Sequence, residues 1–395
     1  MSFLGYRRPD GKVGTRNHVL VIPGGLISQK ICEFVKGART VITPDHGTGR
    51  TARDRETVAR VLLGLALNPN VAAVVLHKVG PAMQYPELNV NELAEAIAAS
   101  GKPVEVISEQ PYKSTLEVYE RGIKAARRLV QEASELRREP AEDGELVLGV
   151  KCGTSDSTSG IAGNPAVGHL YDHVVNSGGT AFFGETTEII GAEHLLAQRA
   201  MNPVVGQQII DAALEMEETA KKYGDDIRSI NPIPANIEAG LTTLEEKSLG
   251  AIAKSGTVPI SGVLQYAERP AGKGLYFVDN WMSSNSIHLG YAAAGSTINL
   301  IQWGGGAFVA DTLLYPSQGV VSPTIWCTAN INTYTACQES IDYYSGTVIE
   351  GSETLQQAGD RLIDLVRRVA SGTMPKTDTL NYQEPNKIYF RDAAF

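Results

Sequence analysis

The sequence predicts an α/β fold made of two Rossmann-like domains, each with a doubly wound and mostly parallel sheet, and a cleft between them. β-Branched apolar runs alternate along the 395 residues with stretches whose apolar residues recur at helical spacing, and this alternation indicates βαβ units. A charged segment that contains proline and glycine, "LRREPAEDGE" at 136–145, interrupts the alternation. We therefore predict an N-terminal domain at 1–135, a linker at 136–145 and a C-terminal domain at 146–395.

The first domain is predicted to contain four strands separated by helices. Pro23 and Pro44 stop the first two apolar runs, and "NPN" at 68–70 ends the helix before the third, as turn-forming residues do. The strands are predicted at 18–23, 40–44, 71–79 and 103–107, and the helices at 28–38, 52–67, 89–100 and 115–139.

The second domain is predicted to repeat this pattern, and its first strand ends at Cys152. Its strands are predicted at 146–152, 180–185, 274–279, 296–303 and 323–330, and its helices at 166–178, 188–200 and 204–224. An all-helical fold or a β-sandwich fits this order poorly, because neither alternates the two periodicities.

Polar clusters follow five of the predicted strands. They lie at 44–50, 152–160, 184–188, 279–286 and 302–307. Open α/β sheets bind their ligands beyond the carboxyl ends of the strands. Five polar strand ends therefore predict a ligand-binding cleft.

Composition and motifs exclude several classes of function. A net charge of -9 and a pI near 5.4 argue against nucleic-acid binding, which normally uses a basic face. No apolar run reaches the length of a membrane span. Four dispersed cysteines and an N-terminus unlike a signal peptide predict reduced thiols in the cytoplasm. Neither GxGxxG after the first strand nor GxxxxGK[ST] occurs, so we expect no nucleotide cofactor and disfavour a dinucleotide-dependent oxidoreductase.

The loop after the strand at 146–152 is predicted to bind a small anion. It reads "CGTSDSTSG" and leads into a predicted helix, where free backbone N–H groups favour a carboxylate or sulfonate. The residues assigned to this anion site are Gly153, Thr154, Ser155, Ser157 and Ser159. Arg16 and Asn17, just before the first predicted strand, are assigned to anchoring a substrate carboxylate, although a surface ion pair of Arg16 is an equally open interpretation.

Cys152, Asp156, Glu185 and His46 are the candidate reactive residues. Cys152 precedes a predicted helix, and a helix N-terminus lowers a thiol pKa and favours the thiolate that attacks carbon or binds metal; a small buried cysteine is the open alternative. His46 lies at a strand end and is a candidate acid, base or metal ligand. Three glutamates, Glu185, Glu188 and Glu193, lie at or after the end of the strand at 180–185. We expect at least one of these carboxylates in the cleft as a general base or ligand; capping of a helix N-terminus by Glu188 is the open alternative.

Five blocks of the sequence resemble the large-subunit form of the altronate/galactarate dehydratase family, in the same order and with similar spacing. They are "GYRRPDGKVGTRNHVLVIP", "HGTGRTARDRETVARVLLGLALNPNVAAVVL", "CGTSDSTSGIAGNPAVG", "GGTAFFGETTEIIGAEHLL" and "NPIPANIEAGLTTLEEKSLGAIAKSG". The resemblance covers roughly residues 4–300. Lys247, in the last block, is assigned to substrate binding.

The resemblance implies a lyase that removes a β-substituent from a small anionic 2-hydroxy acid, with His46 or Glu185 as the base and Cys152 and Asp156 as further catalytic contacts. It also implies Fe²⁺, with Cys152 and His46 as ligands, a separate small subunit of the SAF type, and a homo-oligomer. The sequence after residue 279 favours the branch that acts on sulfolactate over the branches that dehydrate altronate or galactarate. A non-catalytic binding or regulatory subunit is the alternative of another class.

Three cysteines of the family pattern are absent. Thr48 stands where "HGC" is usual, Gly80 and Pro81 stand near the usual "GCE", and "GGLIS" around Ile27 lacks the usual cysteine. Cys152 alone of that set remains. If those thiols hold iron in the family, this chain must bind the metal differently, bind it weakly or do without it.

Overall fold

Parallel sheets form in both halves of the chain, as the alternating pattern predicts. The computed structural model describes residues 2–41, 47–78, 85–108, 114–306, 319–380 and 387–395. The strands in these ranges are β1 (Phe3–Arg7), β2 (Val13–Gly14), β3 (His18–Ile22), β4 (Ala38–Thr40), β5 (Val71–Lys78), β6 (Val104–Ser108), β7 (Glu139–Ala141), β8 (Val147–Gly153), β9 (Thr180–Phe183), β10 (Ile260–Gln265), β11 (Gly274–Asp279), β12 (Ile298–Trp303), β13 (Thr324–Thr328) and β14 (Tyr343–Tyr344).

Helices connect these strands. In the described ranges they are α1 (Gly25–Phe34), α2 (Ala52–Leu67), α3 (Val90–Ala99), α4 (Thr115–Ser134), α5 (Asn164–Asn176), α6 (Glu193–Gln198), α7 (Pro203–Lys222), α8 (Ile227–Ile230), α9 (Pro234–Glu238), α10 (Leu244–Ile252), α11 (Ser284–Ala294), α12 (Ile331–Ala336) and α13 (Leu355–Ala370). None of the helices in the described part of the chain is both long and apolar enough to cross a membrane.

The N-terminal half forms a four-stranded parallel sheet in the order β4-β3-β5-β6. The predicted second strand, 40–44, begins earlier than expected, at Ala38, and residues 42–46 lie outside the described ranges. The central strand β5 is a run of small and β-branched residues that is buried from Val71 to His77, as expected of a parallel strand covered on both faces.

The C-terminal half forms a seven-stranded parallel sheet in the order β10-β11-β9-β8-β12-β13-β14. The chain builds β9, β10 and β11 on one side of β8 and then crosses to build β12, β13 and β14 on the other side. The carboxyl ends of β8 and β12 therefore flank a topological switch point, the place where open α/β sheets bind ligands.

A small antiparallel sheet, β2-β1-β7, is absent from the sequence prediction. Strand β7 lies inside the predicted linker 136–145 and pairs with β1 at the N-terminus. The segment is therefore ordered in part, because its backbone groups are paired with a strand that lies more than a hundred residues earlier.

The two parallel sheets are held together through α2 and α11. Gly64 of α2 lies so close to α11 that a Cβ there would be 2.3 Å from the carbonyl oxygen of Ala293. Asn68, at the end of α2, donates hydrogen bonds to the carbonyls of Ala292 (2.7 Å) and Ser296 (2.8 Å). Buried side chains of both halves form one continuous apolar cluster around this contact.

Candidate active site

Two carboxylates meet Cys152 at the carboxyl ends of β8 and β9. Because these strands are parallel neighbours, the end of β8 lies beside Glu185 and Glu188, which follow β9. The Cys152 backbone N–H donates to Glu185 Oε2 at 3.0 Å, and the thiol donates to Glu188 Oε2 at 2.7 Å. Glu185 takes a left-handed backbone conformation with φ 72°, and its N–H donates to Asn280 Oδ1 at 2.9 Å. Such backbone strain concentrates at functional sites.

Three lysines surround these carboxylates. Lys254 Nζ donates to Glu185 Oε2, donates to Cys152 Sγ at 3.0 Å and lies 3.7 Å from Glu188 Oε2. Lys247 Nζ lies 3.2 Å from Glu188 Oε1, and Lys151 Nζ lies 3.5 Å from Glu185 Oε1.

We call Cys152, Glu185, Glu188, Lys151, Lys247 and Lys254 the buried charge cluster. Its lysine and glutamate side chains are at most 7% exposed, so its charges interact with little screening by water.

The cluster fixes the charge of its members. Burial, Glu185 and Glu188 raise the pKa of the Cys152 thiol, which favours the buried-cysteine alternative over the thiolate alternative that the sequence left open. Burial alone would raise the pKa of Glu188, but Lys247 and Lys254 lower it to about 2. Burial opposes charge on Lys254 too, yet Cys152, Glu185 and Glu188 raise its pKa. At neutral pH the cluster therefore holds a neutral thiol, an ionised Glu188 and a protonated Lys254.

The loop after β8 is held by Asp156. Its carboxylate accepts hydrogen bonds from Ser159 N (3.0 Å), Ser159 Oγ (2.9 Å), Thr158 Oγ1 (2.8 Å) and Asn330 Nδ2 (2.8 Å). Asp156, predicted from sequence as a catalytic contact, is therefore placed where it positions the loop rather than in the buried charge cluster.

A pocket of about 330 Å³ opens beside this loop. Predicted anion-site residues Ser155, Ser157 and Ser159 line it, and so does Lys247 of the buried charge cluster. The buried hydroxyl of Ser155 has no hydrogen-bond partner among the described residues, and the same holds for Thr154. Gly153 ends β8 directly before them. Asp156 and Glu246 line the pocket as well, so its lining combines hydroxyl groups and one ammonium group with two carboxylates.

Lys247 connects the pocket to the cluster. Its Nζ donates to Asn231 Oδ1 at 2.6 Å and to Asn236 Oδ1 at 3.2 Å, in addition to its ion pair with Glu188. Asn236 Nδ2 in turn donates to the Ser155 carbonyl at 2.9 Å. The two asparagines thus orient the ammonium, and Asn236 couples it to the loop after β8.

Arg16 and Asn17 are not brought to this site. Both precede β3, at the amino end of that strand, whereas the cluster lies at carboxyl ends. Arg16 donates to the carbonyl of Val369 at 2.8 Å and lies 3.7 Å from the Asp378 carboxylate, and Asn17 donates to the Ala133 carbonyl at 2.6 Å. These donors hold chain segments together, so we do not assign them to the substrate. His46 lies outside the described residues.

Sequence reasoning missed Lys151 and Lys254. A signal for Lys254 was available, because Lys247 and Lys254 are seven residues apart in "EEKSLGAIAKSG". Seven residues are close to two helical turns, so both side chains lie on one face. Lys151 precedes Cys152 in β8 and carried no comparable signal.

Comparison with known proteins gives the family. The model described as "D-galactarate/Altronate dehydratase, C-terminal" matches residues 144–391, and the model described as "D-galactarate dehydratase/Altronate hydrolase, second domain" matches residues 5–134. The chain belongs to the D-galactarate/altronate dehydratase family. This confirms the resemblance and extends it beyond residue 300.

Curated relatives in the D-galactarate/altronate dehydratase family are lyases. The (2R)-sulfolactate sulfo-lyase subunit beta of Chromohalobacter salexigens is 37% identical over 393 residues, 97% of this chain and 96% of the relative. Altronate dehydratase of Bacillus subtilis is 28% identical and galactarate dehydratase (L-threo-forming) of Escherichia coli is 29% identical. Those matches cover 97% and 94% of this chain, and 76% and 73% of the relatives.

The iron expected from the dehydratase family does not fit the cluster as it stands. Ligand atoms of Cys152, Glu185 and Glu188 lie within 4.8 Å of one another, the size of a metal centre. However, the Lys254 ammonium already contacts all three groups. A cation bound at ordinary ligand distances of about 2.0–2.3 Å would collide with that ammonium.

Proposed function

We propose that the chain is the large subunit of a lyase that performs a β-elimination on a small 2-hydroxy carboxylate, with (2R)-sulfolactate as the leading substrate. The observation that carries this proposal is the 37% identity to a sulfolactate sulfo-lyase subunit beta across nearly the whole of both chains. The dehydratase relatives are more distant and about a quarter of their length is not covered.

The proposed reaction converts sulfolactate into pyruvate and sulfite. A base removes the proton from C2, next to the carboxylate. The electron pair forms the C2–C3 double bond, and the C3–S bond breaks with its pair going to sulfite. The enol then tautomerises to pyruvate by losing its hydroxyl proton and gaining a proton at C3, so that no oxidant or reductant is needed.

The buried charge cluster and the pocket supply groups for these steps. The hydroxyl of Ser155, which has no hydrogen-bond partner among the described residues, and the ammonium of Lys247 both line the pocket and suit a sulfonate or carboxylate. Cationic groups held in a buried site stabilise the negative charge that develops on a carboxylate as its α-proton leaves. Glu188, with a pKa of about 2, is too weak a base. Glu185 and His46 therefore remain the candidate bases.

We propose that the substrate enters through a cleft between the two Rossmann-like domains and that the chain works with a separate small subunit. The name of the Chromohalobacter relative, subunit beta, supports the second part. The second candidate function is dehydration of altronate or galactarate, which the names of the other relatives favour.

The test is turnover by the purified chain together with its small subunit. Sulfolactate, altronate and galactarate are each supplied as the sole substrate. Pyruvate is measured by its coupled reduction to lactate, and sulfite is measured with a thiol-reactive disulfide dye. Any 2-keto-3-deoxy acid is detected by mass spectrometry. Pyruvate and sulfite in equal amounts are expected. A 2-keto-3-deoxy acid would support the dehydratase function instead, and turnover of none would overturn the lyase proposal and leave a non-catalytic subunit.

A matched pair of variants ties turnover to the cluster. Glu185→Gln should lower kcat by about 10²–10⁴-fold, the range for loss of a general base. Glu218→Gln changes an exposed glutamate that pairs with Lys221 on the same helix and should leave kcat unchanged. Equal kcat values for both variants would remove Glu185 from the mechanism.

A further inference from the structure

We propose that the ammonium of Lys254 occupies the cation position of the Cys152, Glu185 and Glu188 group, so that this centre works without a bound metal ion. The cation of the centre is then part of the chain itself. The proposal concerns occupancy of the site and stands whether or not sulfolactate is the substrate.

The geometry places one ammonium at the centre of three potential ligands. Lys254 Nζ is 3.0 Å from Cys152 Sγ, is hydrogen-bonded to Glu185 Oε2 and is 3.7 Å from Glu188 Oε2. These three groups are the ones that a transition metal would use in this part of the chain. The ammonium and a metal ion would therefore compete for the same position.

The charge count favours the ammonium. Lys151, Lys247 and Lys254 bring three positive charges against the two carboxylates. A metal would need Cys152 as thiolate, and a divalent ion would then leave five positive charges against three negative ones in a buried site. Uncompensated charge in a buried site is strongly unfavourable.

Lys254 cannot easily swing away, because the backbone around it is pinned. Arg199 donates to the side-chain oxygen of Ser255 at 3.0 Å and to its carbonyl at 3.1 Å. On the other side, α5 approaches so closely that a Cβ at Gly168 would lie 2.4 Å from the carbonyl oxygen of Ala253. The side chain itself is 2% exposed and is enclosed by its three partners.

The experiment is an anaerobic titration with Co²⁺, read by the near-ultraviolet charge-transfer band that a cysteine thiolate gives when it binds cobalt. Wild-type protein and Cys152→Ser are expected to give the same spectrum, and metal analysis of both as purified is expected to show the same iron content. Lys254→Met keeps the length and apolar stem of the side chain and removes the charge. It is expected to gain the band at one Co²⁺ per chain and to lose it again in Lys254→Met/Cys152→Ser.

Lys273→Met is the matched control, because Lys273 is an exposed lysine that donates to the Gly144 carbonyl; it should behave as wild type. The proposal would be overturned if wild-type protein gave the charge-transfer band, or contained one iron per chain, and Cys152→Ser did not. So would a Lys254→Met protein with wild-type circular dichroism that gains no band. If Lys254→Met does not fold, the comparison of wild type with Cys152→Ser decides alone. No substrate is used, so this result is separate from the success or failure of the lyase assay.

Discussion

Replacing Glu188 by glutamine tests the electrostatics of the buried charge cluster, because it removes one negative charge and keeps the shape of the side chain. The carboxyl pKa falls from 4.5 to about 2 in the fold. One pKa unit corresponds to about 1.4 kcal/mol, so the ionised carboxylate contributes about 3 kcal/mol to the free energy of unfolding at pH 7. Because the folded pKa is the lower one, this contribution is complete above pH 4.5 and is lost as the pH falls towards 2. About 1 kcal/mol remains at pH 3.

The assay is urea unfolding of wild type, Glu188→Gln and Glu218→Gln at pH 7 and pH 3. Glu188→Gln should be less stable than wild type by about 3 kcal/mol at pH 7 and by about 1 kcal/mol at pH 3. Glu218→Gln should stay within about 1 kcal/mol of wild type at both values, as expected for an exposed pair. A Glu188→Gln difference that is below 1 kcal/mol at pH 7, or that is the same at both pH values, would refute the electrostatic account.

Three further substitutions test the fold and the loop. Gly64→Val should lower the free energy of unfolding by about 1–3 kcal/mol, and the melting temperature with it, because even a Cβ there would lie 2.3 Å from the Ala293 carbonyl oxygen. An unchanged melting temperature would contradict the close approach of α2 and α11. Arg16→Met should lower the free energy of unfolding by about 2 kcal/mol and leave KM unchanged, since the Arg16 guanidinium binds carbonyl groups of the chain. A tenfold higher KM would show that Arg16 binds the substrate after all. Asp156→Asn should raise KM more than it lowers kcat, because an amide cannot accept all four hydrogen bonds of the loop. If steady-state kinetics give the same KM for Asp156→Asn and wild type, the loop does not shape the pocket.

The parallel strands were predictable because their signal is local. The strands at 18–23, 71–79 and 296–303 are rich in apolar and β-branched residues and lie between turn residues, and the structure has β3, β5 and β12 there. Strand β7 carries no such signal: its three residues, Glu139, Pro140 and Ala141, form a strand only because β1 lies beside them. Two short strands that pair across a large sequence separation do not produce the alternation of apolar and polar residues by which a strand is recognised in a sequence.

Some features of the candidate site could also be predicted from the local sequence, and others could not. A carboxylate after β9 was predictable from "GETTE", because polar residues at a strand end face the cleft. The charge state of Cys152 was not, because it depends on burial and on Glu185 and Glu188, which come from another strand end. Local sequence shows which groups are present at a strand end, but the pKa of each group depends on neighbours that the sheet order brings in.

Close backbone packing explains how lysines from a distant helix reach these carboxylates. A Cβ on Gly160, in the turn after β8, would lie 3.0 Å from the Cα of Gly250 in α10. Any larger residue at either position would push α10 outward. The two glycines thus bring α10 against the loop. Lys247 in α10 and Lys254 in the short 3₁₀ helix Ala253–Ser255 that follows it then both reach the carboxylates at the carboxyl ends of β8 and β9. Three positive charges at that point balance the carboxylates and still leave one net positive charge, which suits a site that receives an anion.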